Sequence, residues 1–268
     1  MNTSLEFRTL IDSVVHLVAG EQEVIHTYWS SPKRTRQTDK LWLKRQSQKE
    51  IWSCPLGEIR GLYVGPMEDL LADFPRIDVD IPRSDIAKRL EVLYEEFTHY
   101  CAFADAHDSA CKPNEPILSP QMLWNEIWDG QQVLRDRRAE MVKDHGEIGE
   151  RACYFSEGGW CVLFREGMTL AGNGGIDHKI AYACSLVYED EWKHMCQGIT
   201  GLDDLNMSKE NWKLLTALSI ELFQLRIHMR NSQFSFPLSQ DRITEIFEGK
   251  IDAWPKEMYP FVEFEVKD

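Results

Sequence analysis

Residues 176–197 read IDHKIAYACSLVYEDEWKHMCQ. At 100° per residue, Ile176, Ile180, Ala183, Cys184 and Val187 fall on one stripe, the mark of a helix with a buried face. Glu191 and His194 continue that stripe. Glu189, Lys193 and His178 fall elsewhere on the wheel. A carboxylate and an imidazole three residues apart project to the same side of a helix. Set in a buried row, they need a partner that compensates their removal from water.

The same spacing recurs at Glu96/His99 and at Glu23/His26. Glu96 and His99 share a stripe with Val92, Phe103 and Ala106, flanked by a second apolar row of Ile86, Leu90, Leu93, Phe97 and Tyr100. The apolar arc is wide, and Glu96 is expected inside. Glu23 and His26 fall off the face that Leu10, Val14, Leu17, Val18, Val24, Ile25 and Tyr28 define over residues 5–29. Glu21 lies on that face and is the candidate carboxylate of the first helix.

The stretch 151–168, RACYFSEGGWCVLFREGM, is apolar nearly all round and is expected to be a central helix, with Glu157 the acid at its middle. Gly158 and Gly159 each disfavour helix by about 1 kcal/mol, so their presence suggests a close approach to that turn.

Helical periodicity dominates elsewhere too. Ser84 is expected to cap a helix reaching about residue 108, and Ser119-Pro120 to open another stretch that Gly146 interrupts. Ser208 and Ser239 are expected to cap helices over 209–230 and 240–249. The turn at 171–175 separates the stretch ending at Met168 from the helix at 176–197. Residues 30–83 hold Pro32, Pro55, Pro66, Pro75 and Pro82 and are expected to form a long connection with at most short helices. The tail after Pro255 is expected to be irregular or one short strand. The class is all-α.

Thirty basic against forty-four acidic residues leave a net charge of −14, which disfavours nucleic acid and anionic membranes as partners. No apolar run reaches the roughly 18 residues of a membrane span. The N-terminus lacks the layout of a signal peptide, and seven cysteines with no C-x-x-C pair do not describe a disulfide framework or a thiolate zinc site. A cytoplasmic location is expected. The basic residues Lys33, Arg34, Arg36, Lys40, Lys44 and Arg45 form the one positive region, either a receptor for an anionic substrate or a solvated face.

In chain order the candidates are Glu21, Glu96-x-x-His99, Glu157 and Glu191-x-x-His194. This order resembles the ferritin-like di-iron carboxylate superfamily, which includes the ribonucleotide reductase small subunit, bacterial multicomponent monooxygenases, acyl-carrier desaturases, tRNA hydroxylases and aldehyde-deformylating oxygenases. The resemblance covers residues 5–200 and is one of ligand pattern alone. It implies a four-helix bundle over 1–200 with an insertion or crossover at 31–83, and additional helices and a tail over 201–268 packed on the same domain. It also implies a metal site of Glu21, Glu96, His99, Glu157, Glu191 and His194, with Glu68 as the substitute first ligand.

Four carboxylates and two imidazoles suit two Fe ions, with Mn as the alternative. The resemblance implies activation of O2 and hydroxylation, N-oxygenation, desaturation or cleavage of a small organic substrate. No nucleotide-binding fingerprint is present, so an external electron donor such as a ferredoxin or reductase is implied, and a homodimer is the family expectation. The other readings are a ferroxidase or iron-handling protein, and a non-catalytic helical interaction protein in which both Glu-x-x-His pairs are salt bridges.

Overall fold

The structure is a computed structural model that describes residues 4–52, 66–124, 126–199, 201–202 and 207–259. It is all-α, with no strand among the described residues. Helix α1 (Leu5–Trp29) starts where the Ser4 hydroxyl accepts from the Phe7 amide at 3.1 Å, the usual satisfaction of a free helix-end donor. It buries one face from Phe7 to Tyr28.

Helix α2 (Arg36–Trp52) occupies much of the segment expected to be a long connection. It buries Trp42, Leu43 and Ile51 beside Asp39, Gln46, Ser47, Gln48 and Glu50, so its inner face is half polar. That mixture erases the apolar period by which a helix is recognised. Helix α3 (Pro66–Asp73) carries an exposed Glu68 in its first turn, where an acid complements the helix dipole.

Helix α4 (Arg83–Ser109) follows Pro82, and its start has no side-chain cap. Glu96, His99, Phe103 and Ala106 are buried, but the flanking row is not buried along its length: Leu90 is 49% exposed and Phe97 42%. Helices α5 (Pro120–Leu123), α6 (Asp129–His145) and α7 (Glu147–Phe155) follow, the last two separated at Gly146 as expected.

The expected central helix over 151–168 is broken. α7 ends at Phe155, a single 3-10 turn spans Glu157–Gly159, and α8 (Val162–Met168) begins after a corner. Gly158, Gly159, Trp160 and Cys161 have φ of 59°, 58°, 54° and 60°, four successive left-handed residues. No α-helix passes through such a run.

Helices α9 (Gly175–Ile199), α10 (Lys209–Gln233) and α11 (Gln240–Phe247) complete the fold. Ser208 and Ser239 accept from Asn211 and Arg242 amides as expected of caps. α2 packs along α4, α4 along α9, and α9 against α7 and α8. α10 lies along α1 and also meets α6 and α7. A short 3-10 turn at Lys256–Met258 ends the described chain; the tail beyond residue 259 lies outside the described residues. No helix among the described residues is long and apolar enough to cross a membrane.

Candidate metal centre

α2, α4 and α9 bring their acids and imidazole together through their mutual packing. Glu50, Glu96 and His99 are all buried, and one ligand atom from each lies within 4.8 Å of the others. His99 and Glu96 come from the same face of α4, one turn apart, and Glu50 comes from the last turns of α2.

His99 has no exposed side-chain surface. Its Nε2 lies 3.2 Å from Asp190 Oδ2 on α9. A carboxylate at that nitrogen selects the tautomer with the proton on Nε2. Nδ1 is buried without a hydrogen-bond partner, 4.0 Å from Glu96 Oε2. The imidazole thus turns an unshared lone pair toward the buried carboxylates while its other nitrogen is anchored from behind. An aromatic nitrogen left unpaired in the interior costs free energy unless a cation takes it.

The electrostatics agree. Burial raises the Glu96 carboxyl well above its ordinary range, Glu50 and Glu191 raise it further, Lys49 opposes them, and Glu157 adds to the shift. Lys49 Nζ lies 3.6 Å from Glu50 Oε2. Glu191 is buried on α9, and the position of a Cβ on Gly158 would be 3.5 Å from its Oε2. Glu157, half-buried in the 3-10 turn, also acts on Arg138, whose guanidinium donates to the Cys153 carbonyl at 3.2 Å. Four carboxylates therefore gather in a low-dielectric space with Lys49, Arg138 and Arg230 acting on them, and a divalent ion would offset the remaining negative charge. The donors are oxygen and imidazole nitrogen, a set that suits Fe(II) or Mn(II).

The structure brings Glu96 and His99 together and places Glu157 and Glu191 within electrostatic reach of Glu96. The side chain of His194 lies outside the described residues; its backbone is one turn beyond Glu191 in α9.

Glu21 is the correction. It faces the core, fully buried, but both its oxygens are taken: Arg226 Nε and Nη2 donate to Oε2 and Oε1 at 3.0 and 2.8 Å, and Arg230 Nε donates to Oε1 at 3.0 Å. Two guanidiniums already neutralise it, so no further cation is called for. Glu50, on α2 and not on the first helix, is the carboxylate set beside Glu96 and His99. Its signal in the sequence is the spacing Leu43, Gln46, Glu50 on one helical face between Pro32 and Pro55. Asp190, next to Glu191 on α9, is the residue that orients His99.

Glu23 and His26 do not form a pair. Glu23 accepts two hydrogen bonds from Arg242 at 2.7 Å, and the His26 side chain is 71% exposed. In the basic region, Arg34 is tied to Asp39 and Asp177, Lys40 to Glu115 and Lys44 to Glu126. Comparison with protein-family models, curated proteins and solved structures finds no match to this chain.

Proposed function

We propose that this chain is a di-iron oxidoreductase in which α2, α4, the α7–α8 corner and α9 form a ferritin-like bundle around two metal ions. The ligand set is Glu50, Glu96, His99, Glu157, Glu191 and His194, one acid or one Glu-x-x-His pair from each of four segments. The observation that carries the reading is His99: a buried imidazole fixed by Asp190 at Nε2, with Nδ1 unpartnered beside Glu96 and Glu50.

Bound iron would supply O2 activation and oxidation of a small organic substrate, with electrons from an external ferredoxin or reductase. The protein's own part is to hold the ligands. Asp190 keeps the His99 lone pair aimed inward, and α4 sets Glu96 beside it at helical spacing. The corner Gly158–Cys161 lies against the Glu191 carboxylate, with the position of a Gly158 Cβ at ordinary contact distance, 3.5 Å, from Oε2. Phe103 and Val187, buried one turn from His99 and Glu191 on the same helices, help to exclude bulk water.

The test is metal analysis of the full chain purified without oxygen. About two irons per chain are expected, a stoichiometry lost in Glu50→Ala, Glu96→Ala and His99→Ala. Admitting O2 to the reduced, loaded protein should change its near-UV absorbance. A chain that takes up no Fe(II) or Mn(II) sinks the reading.

A further inference from the structure

Behind Glu50 a buried polar chain runs to the far helix of the protein. Arg230 on α10 donates Nη1 to Oε1 of Gln46 at 3.0 Å, while its Nε holds Glu21. Gln233 Nε2 donates to the same Gln46 oxygen at 2.9 Å, and Arg230 Nη1 also reaches Gln233 Oε1 at 2.5 Å. Gln46 Nε2 donates to Glu50 Oε1. Glu21, Gln46, Glu50, Arg230 and Gln233 are each 1% exposed or less.

The direction of this chain is not free. A guanidinium has donors and no acceptor, so Gln46 must turn its oxygen to Arg230. Its amide nitrogen then has to face Glu50. An amide N–H requires a lone pair on the atom it meets, so Oε1 of Glu50 spends one lone pair on Gln46 and is held in place by it. Oε2, with Lys49 Nζ 3.6 Å away, takes no hydrogen bond from the described residues and is the oxygen Glu50 turns to its other neighbours. Arg230 can serve in this way because Glu21, which it shares with Arg226, and Glu50 offset its charge in the dry interior.

We propose that Gln46, locked by Arg230, is a positioning residue that makes Glu50 a one-oxygen ligand: Oε1 stays with Gln46, and Oε2 meets a divalent cation shared with Glu96 and His99. This rests on the metal-centre reading above. It gives α1 and α10, which contribute no ligand, a part in the site: the Glu21–Arg230 pair sets Gln46, and Gln46 sets Glu50.

The experiment is anaerobic titration of the full chain with Co(II), read by calorimetry and by the visible ligand-field spectrum, in Gln46→Glu, Gln46→Met and Gln233→Met. Gln46→Glu keeps acceptors for Arg230 and Gln233, so it retains the core contacts, but it offers Glu50 no donor. Gln46→Met removes both. Each is expected to weaken one Co(II) site by about 10- to 100-fold and to change its spectrum. Gln233→Met breaks the same network without touching Glu50 and is expected to lower the melting temperature while leaving affinity and spectrum as in the wild type.

Wild-type affinity and spectrum in both Gln46 variants overturn the proposal and leave the metal centre intact. So does an equal effect from Gln233→Met, which would mark a packing effect. A wild-type chain that binds no Co(II), with Glu96→Ala no different, removes the centre and the positioning role together.

Discussion

Replacing Gly159 with alanine is the sharpest probe of how the corner between α7 and α8 is built. Gly159 has φ of 58°, a conformation that costs an alanine about 1–2 kcal/mol. A Cβ at that position would also collide with the Arg226 guanidinium and with Glu21 Oε2. One partner of a buried ion pair would have to move, and breaking such a pair costs about 3–5 kcal/mol. Partial relaxation of the arginine reduces this, so the sum is about 3–5 kcal/mol. At about 2 °C per kcal/mol for a chain of this size, the melting temperature should fall by about 6–10 °C.

Gly158 supplies the control. Its φ is 59°, but a Cβ there would lie 3.5 Å from Cys161 Sγ and from Glu191 Oε2, ordinary contact distances. Gly158→Ala should therefore show only the conformational cost, about 2–4 °C. Thermal and urea unfolding of both metal-free variants, side by side, makes the comparison. Equal losses would refute the reasoning, because they would mean that the Glu21–Arg226 pair does not press against Gly159.

Glu21→Gln should destabilise the metal-free protein by about 3–5 kcal/mol through its two uncompensated arginines, and still load metal at the wild-type stoichiometry when folded. Glu96→Gln should do the reverse in the same metal assay and urea titration, losing metal without losing metal-free stability, since it relieves carboxylate crowding. Fe(II) at 100 times its dissociation constant should raise stability by about 2.7 kcal/mol, and His99→Ala should abolish the shift in anaerobic calorimetry. Burial lowers the pKa of His16, His107 and His228 below 6.5. The unfolded chain then takes up protons at pH values where the folded chain does not, so stability falls as pH drops through and below 6.5; urea midpoints against pH should show this, with a shallower slope in His228→Phe.

The elements that could be read from the sequence are those whose buried face is apolar. α1 and α9 follow their stripes closely, and Ser208 and Ser239 cap because their hydroxyls meet amides three residues on. α2 was hidden because its inner face spends Gln46, Gln48 and Glu50 on hydrogen bonding and charge, and a hydropathy period is blind to polar residues that are buried by pairing. Glu21 is held by two arginines for a reason its own helix does not show. Its place on the core face is visible in α1 alone, but its neutralisation comes from α10, 205 residues away. Arg226 and Arg230, four apart on the row of Leu222, Phe223 and Ile227, are the trace of it in the sequence. The corner at Gly158–Cys161 was half legible: the glycines flagged a close approach, but nothing local shows that Trp160 and Cys161 would also turn left-handed.

That corner has a bearing on how the chain can vary in length. A surface loop absorbs an extra residue by bulging outward. Here the residues on both sides are locked, Phe155 and Trp160 against Phe223 and Val162 to Phe164 in the interior. One residue added between positions 156 and 161 has no room to loop out, and would rotate the following helix by about 100° about its own axis. Phe164 would move to the half-buried place of Arg165, and Glu166 into the buried place of Gly167, where a Cβ would already meet Cys184 Sγ. Indels are therefore expected to be purged from this short bracket, and grafts or fusions belong at exposed tips such as Val79, 82% exposed, on the opposite side of the chain's tolerance.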